Sequence, residues 1–332
     1  LIKMENGNIE YLHPLYVEPG TVFESAAAML YREKVYRIDV QGLRHYVRES
    51  GRTYKSLTTF LSAVMPKNKP LETWREKMTL DLGSTEKMDE WMEIVADYGT
   101  ALHIAVADYC RNGGVDWSEL QDWAYNYLIG AGLKADTLNA AANSLVKDVA
   151  CLLQFFHEYQ VRVIAVELPV FLQSGVATLI DLVVEMNVYN YEATEEGKRK
   201  RVIAIINLKS GKKGFFKEHA LQLTGERLMF NETFGDVLKV EEVYNLAPTE
   251  WEERPAFKLK RWTKDIEKKG YERLFENYIE QAKIENLLSE PQKTFPTFEG
   301  WTKYGDSPTA ALTIMPYSEF ARNRIEQYTQ KD

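Results

Sequence analysis

The sequence predicts an α/β fold built around a mixed sheet, and three features carry that expectation. Up to about residue 160 the recognisable patterns are helical. Three β-rich runs then follow one another: "VRVIAVELPVFL" (161–172), "VATLIDLVVEM" (176–186) and "RVIAIINLK" (201–209). A helical pattern at 215–235 separates the third run from a fourth, "VLKVEEVYNL" (237–246), an order that packs helices against a sheet.

Taken in order, residues 20–34 have helical spacing. In "YKSLTTFLSAVMP" Ser56 or Thr58 is the expected helix cap, because a hydroxyl accepts from the unpaired N–H groups of the first turn, and Pro66 is the stop. Ser84 caps a long helical pattern that runs to "NGG" at 112–114, and further helices are expected at about 118–129 and 136–160. "SG" at 174–175 reads as a hairpin turn between the first two strands. A polar excursion, "NVYNYEATEEGKRK" (187–200), leads into the third strand. The helix at 215–235 closes on Gly235. Beyond 250 one helix, about 263–289, precedes a proline-bearing tail expected to wrap the surface. The chain thus divides into a helical N-terminal extension packed on the core (1–83), the core (84–250), and a C-terminal helix and tail (251–332).

Composition narrows the function classes. A chain of 332 residues, 45% hydrophobic and 27% charged, has the make-up of an ordinary globular protein with ample core. It contains no apolar run of about 18 residues, so no transmembrane helix is expected, and its start lacks the basic-then-apolar pattern of a secretion signal. The absence of Met at position 1 reads as a processed or engineered chain. The two cysteines, Cys110 and Cys151, suit a reducing, cytoplasmic compartment and are too few for an iron–sulfur cluster or a four-cysteine zinc site. Both fall in helical patterns and are expected as core thiols. The net charge of −8 argues against a protein that coats nucleic acid, but not against a local basic groove. Three basic stretches offer one: "GKRKR" (197–201), "KSGKKGFFK" (209–217) and "KLKRWTK" (258–264).

The third strand ends abruptly in Asn207, Leu208 and Lys209 before a glycine turn. Side chains alternate along a strand, so Asn207 and Lys209 share a face. Asp181 interrupts the apolar run "TLIDLVVEM" and Glu167 interrupts "IAVELPV", where a carboxylate is costly to bury unless paired or metal-bound. Strand carboxylates with a nearby lysine suit metal-assisted phosphodiester hydrolysis. Hard oxygen ligands hold Mg²⁺ or Mn²⁺, the ion lowers the pKa of a bound water, and the lysine orients that water or meets developing charge. Glu185 is an alternative acid, expected at the sheet rim.

These residues resemble the PD-(D/E)xK nuclease superfamily in its RecB-like exonuclease branch. The carriers are Gly175 and Asp181, then Asn207-Leu208-Lys209, Gly211, and Gln222 within "HALQL". "DYGTALH" supplies the upstream helix motif as Gly99, Thr100 and His103, and "SLTTFL" followed by Trp74 is similar to the segment ahead of that helix. The resemblance spans roughly residues 50 to 245 and implies a restriction-endonuclease-like core. It implies His103 and Asp181 as metal ligands, with the Leu208 carbonyl and position 207 beside them. It implies Lys209 as the catalytic lysine, Glu167 as a second acid and Gln222 as a positioning residue. The remaining histidines, His13, His45, His157 and His219, have no such context and read as structural.

The chain departs from that pattern in three ways. The family carries Asp or Glu at position 207, and here it is Asn, which lowers charge at the metal and favours a form altered to trap a complex over a naturally inactive one. Glu226 stands where an aromatic residue is usual. The 26 positions from 181 to 207 are a long gap, which the excursion at 187–200 explains as an extended hairpin. The expected function is a Mg²⁺- or Mn²⁺-dependent DNA exonuclease of phage or bacterial recombination or repair, impaired by Asn207 and restored by Asn207→Asp. The alternatives are an inactive DNA-binding module of the same fold and a structure-specific endonuclease. The partner is DNA, single-stranded or at duplex ends, met by basic side chains near 198–201 and 209–217, with Tyr98, Trp91 and Tyr109 as stacking candidates.

Overall fold

The computed structural model describes residues 2–4, 7–12, 16–30, 35–40, 43–48, 52–66, 69–189, 199–211 and 214–288. The N-terminal elements are β1 (Ile2–Met4), β2 (Gly7–Leu12), β3 (Tyr16–Val17), α1 (Val22–Leu30), β4 (Val35–Val40), β5 (Leu43–Arg48) and β6 (Thr53–Ser56). A helical stretch follows: α2 (Leu57–Val64), α3 (Lys69–Leu82), α4 (Thr85–Asn112), α5 (Trp117–Gly130) and α6 (Ala135–Glu158). Then come β7 (Arg162–Phe171), β8 (Val176–Tyr189), β9 (Arg199–Leu208), α7 (Lys217–Phe234) and β10 (Glu242–Pro248). β11 (Phe257–Arg261), α8 (Thr263–Lys269) and α9 (Tyr271–Ile284) complete the described chain.

Among the described residues the strands form one 11-stranded, mixed and mostly antiparallel open sheet, so the α/β expectation holds at that level. Its two faces bury separate cores. Ile205 and Val183 pack with Phe60 of α2, Leu221 and Phe230 of α7 and Phe275 of α9. Ala204, Ile206 and Leu182 pack on the opposite face with Leu102 of α4, Leu128 of α5 and Phe155 of α6. Neighbouring positions on β9 feed different cores because the strand period is two. Among the described residues no helix is long and apolar enough to cross a membrane.

The expected order around the core is present: helix α6, strands β7, β8 and β9, helix α7, strand β10. β9 and β10 run parallel with α7 as their crossover, in register Asn207↔Asn245. Ser56 and Ser84 both cap as expected, Ser56 Oγ accepting from the Thr59 N–H at 3.1 Å and Ser84 Oγ from the Lys87 N–H at 3.3 Å.

Several expectations need correction. The N-terminal region is not purely helical: strands precede and alternate with its helices α1, α2 and α3. β1, β2, β4, β5 and β6 form an antiparallel run that joins the main sheet where β6 pairs parallel with β8, Lys55 beside Val176. The cause is visible in "VYRIDVQGLRHYVR", whose alternation about "QG" is a two-residue hairpin signal realised as the pair Val40↔Leu43. α3 was not expected either. Pro70 falls in its first turn, where the missing N–H has no helical partner to lose. The single helix expected at about 263–289 is two, because the chain breaks at Gly270, whose φ of 65° is left-handed. The fourth strand begins at Glu242 rather than 237. Positions 190–198 of the polar excursion and the tail from 289 onward lie outside the described residues.

Gly225 shows how tightly α7 is seated. A Cβ there would lie 2.8 Å from Leu57 Cδ1 and 2.8 Å from Phe275 Cε2, both in the core. Gly225→Ala gains about 1 kcal/mol of helix propensity but overpacks the contact by about 1–3 kcal/mol. The expected result is a net loss of stability in urea unfolding. A variant as stable as the parent would mean that Leu57 and Phe275 shift at no cost.

Candidate metal centre

The site forms where β8 loses its neighbour. One edge of β8 pairs with β7; the other is shared, by β6 at Val176 and Ala177 and by β9 from Leu182 onward. Residues 178–181 lie between these two partners. Asp181 stands at the parting of β8 and β9, and its Oδ2 accepts from the Leu208 N–H at 2.6 Å. A side chain thus replaces the next backbone rung. That N–H is the contact by which Leu208 enters the site.

Glu167 lies across from Asp181 on β7, between the pairs Val166↔Leu182 and Leu168↔Ile180. Its φ of 51° is left-handed, a conformation that costs a non-glycine residue about 1–2 kcal/mol. His103 comes from α4, with Nδ1 3.3 Å from Glu167 Oε1 and 3.5 Å from Asp181 Oδ1. α4 passes close because residue 99 is glycine: a Cβ would meet Ser210 Oγ, in the loop after β9, at 3.3 Å. His103, Glu167 and Asp181 each offer one ligand atom, all within 4.8 Å of one another. Two carboxylates and an imidazole fit a divalent cation without distinguishing Mg²⁺ from Mn²⁺.

The three groups perturb one another's charge. Burial opposes charge on His103, yet Asp181 and Glu167 outweigh it and raise the imidazole to about 9. Burial raises the Asp181 carboxyl, against the pull of His103. A third acid, Glu226 on α7, is fully buried, and burial followed by the charge of Asp181 pushes it up to about 8. Groups with raised pKa hold protons longer folded than unfolded. Their contribution to stability is present below the ordinary values, 6.5 for imidazole and 4.5 for carboxyl, and is lost as pH climbs through about 9 and about 8. The metal-free protein should therefore melt several degrees lower at about pH 9 than at about pH 6. Mn²⁺, which replaces those protons, should raise the melting point more at the higher pH. Thermal melts across that window check this; a flat metal-free profile contradicts it.

Lys209 and Asn207 face α7. Lys209 Nζ donates to Gln222 Oε1 at 3.0 Å, and Gln222 Nε2 donates to Glu226 Oε1 at 2.8 Å. Asn207 Nδ2 donates to the same Glu226 oxygen at 3.1 Å, while its Oδ1 accepts from Asn245 Nδ2 at 3.0 Å. Asn245 Oδ1 in turn accepts from the Trp262 indole N–H at 2.8 Å. Asn207 is thus held by a buried amide chain, with both ends of its carboxamide engaged.

The other sequence candidates lie elsewhere. Glu185 is ion-paired to Arg162 at 2.8 Å and to Arg201 at 3.1 Å. His219 accepts from the Phe216 N–H at 3.2 Å, and burial with the nearby Lys209 lowers it to about 4. His45 sits in β5, His157 is exposed at the end of α6, and His13 is outside the described residues. Tyr98 donates to Asp148 Oδ2 at 2.8 Å and Tyr109 packs edge-on to Phe156, so both serve packing; Trp91 pairs with Trp74. Arg199, Lys200 and Arg201 start β9, about 20–26 Å from its Asn207 end at ~3.3 Å per residue. Lys200 is bonded to Glu241 at 2.5 Å and Lys260 to Asp265 at 3.0 Å. Arg201 is paired with Glu185, so part of each of these two basic stretches is locally neutralised; Lys198, Lys212 and Lys213 lie outside the described residues.

Sequence reasoning noted Glu226 only as a departure from an aromatic position. Its signal was an acid one helical turn after Gln222, set in the apolar run "ALQLTGERLMF". Asn245 and Trp262 carried no signal. No model of a known protein family matches the chain, and no curated protein matches it in sequence.

Proposed function

We propose that the chain is a divalent-metal-dependent deoxyribonuclease that hydrolyses phosphodiesters from DNA ends, in phage or bacterial recombination or repair and hence in the cytoplasm. The observation that carries this reading is the convergence of His103, Glu167 and Asp181 within 4.8 Å, at the strand end that bears Lys209. An ion bound there would polarise the phosphate and supply hydroxide near neutral pH. Asp181 and Glu167 provide the anionic ligands and His103 a third, once its proton is displaced. Lys209, steadied by Gln222, offers an ammonium to the attacking water or to charge developing on the phosphate. The order of the motif residues supports the exonuclease form.

A second reading, an inactive DNA-binding module, is favoured by one observation: position 207 carries a buried neutral amide. Digestion of linear and closed circular DNA in Mn²⁺ separates the readings. Short products from linear DNA with intact circles support the exonuclease, and nicked circles indicate an endonuclease. Salt-sensitive binding without any cleavage leaves the binding module.

A further inference from the structure

We infer that Glu226 supplies the negative charge that position 207 lacks. Its buried Oε2 is a ligand atom for a divalent cation, and Asn207 is the residue that holds this carboxylate in place. The inference rests on the metal-centre reading above and extends its ligand set from the strands to helix α7.

The direction of the hydrogen bonds carries it. The Trp262 indole N–H can only donate. It donates to Asn245 Oδ1 at 2.8 Å, so Asn245 must present Nδ2 to Asn207 Oδ1, at 3.0 Å. Asn207 must then present Nδ2 to Glu226, at 3.1 Å. From the other side the Lys209 ammonium, also donor-only, bonds Gln222 Oε1 at 3.0 Å, so Gln222 presents Nε2 to Glu226, at 2.8 Å. Turning any of these amides round sets donor against donor. Both chains therefore end on one atom, Glu226 Oε1.

Glu226 Oε2 is left with no hydrogen-bond partner, although the residue is fully buried. A buried polar atom without a partner is destabilising, and more so when charged. Asp181 and Lys209 are the charges that act on this carboxylate. The ligand atoms within 4.8 Å of one another are those of His103, Glu167 and Asp181. A cation drawn from them toward Glu226, whose carboxylate already feels the charge of Asp181, would satisfy the free oxygen while the two amides keep the other one fixed. Aspartate at 207 would instead set a second carboxylate oxygen against Glu226 Oε1, where there is now a 3.1 Å N–H···O bond. Asparagine donates to that oxygen when Glu226 is charged, which an ionised aspartate cannot do.

A purely structural Glu226 would be replaced well by glutamine, whose carbonyl accepts the same two bonds. A ligand would not. Calorimetric titration of the full chain with Mn²⁺ tests this on Glu226→Gln, which removes the charge, and Glu226→Asp, which keeps it but withdraws the oxygen by about 1.5 Å. Both should bind Mn²⁺ about tenfold or more weakly than the parent, while the metal-free melting point of Glu226→Gln stays level or rises. Weakening in Glu226→Gln alone would make Glu226 a bystander charge and overturn the ligand assignment. Parental affinity in either folded variant overturns it too. A parent that binds Mn²⁺ through Glu226 yet cuts no DNA would sink the proposed function and leave this inference standing. A parent that binds no Mn²⁺ overturns both.

Discussion

Asp181→Ala should leave a folded protein whose affinity for Mn²⁺ has fallen by about 100-fold or more. Asp181 is where the site is tied together: Oδ2 accepts from the Leu208 N–H at 2.6 Å, and Oδ1 lies 3.5 Å from His103. Alanine removes a ligand and opens the join between β8 and β9. Against this, it removes an acid whose burial already disfavours its charge, which offsets part of the lost Leu208 and His103 contacts, so the metal-free protein should stay folded with a modest loss of stability. The contrast is measurable in one instrument. An ion at 100 times its dissociation constant stabilises the native state by about 2.7 kcal/mol, and that metal-induced rise in melting temperature should vanish in the variant. His103→Ala should lose a smaller part of it, since Glu167 and Asp181 both remain. Unchanged Mn²⁺ affinity in Asp181→Ala would remove the ligand set altogether.

How far the site was legible in the sequence depends on how local each part of it is. β7, β8 and β9 declare themselves as β-branched runs, and α4 as a long helical pattern between Ser84 and Gly113. His103 was legible because "GTALH" supplies both the close approach at Gly99 and the ligand one turn later. The hairpin of β4 and β5 had a local signal at "QG" that went unread. The parallel pairing of β6 with β8 had none, since Lys55 and Val176 are far apart in sequence and are joined only through the intervening helices. The same holds for Asn245, which reaches Asn207 through the parallel register of β9 and β10. Glu226 is the instructive miss. Helical spacing puts it on the buried side of α7, but only the packing of α9 and the donors of Asn207 and Gln222 show that it is a held acid.

Lys209→Ala should abolish cleavage while leaving metal binding intact or slightly stronger. The backbone of Lys209 is fixed by its N–H bond to the Leu246 carbonyl at 2.8 Å, and its ammonium by Gln222 at 3.0 Å. That is more positioning than a strand-end surface charge needs. The ammonium acts on both Asp181 and Glu226, so it opposes a cation entering between them. Removing it relieves that repulsion and should raise Mn²⁺ affinity or leave it unchanged. Donors aimed at developing charge are worth about 10²–10³ in rate, and general acid–base groups about 10²–10⁴, so turnover on linear DNA should fall by at least about 100-fold. Gln222→Ala should show a weaker form of the same split, because it frees the lysine without discharging it. Opposite signs in binding and turnover separate a catalytic group from a ligand, whose loss lowers both. If Lys209→Ala cuts DNA as the parent does, the lysine merely closes the strand, and the chemistry must be carried by the acids alone.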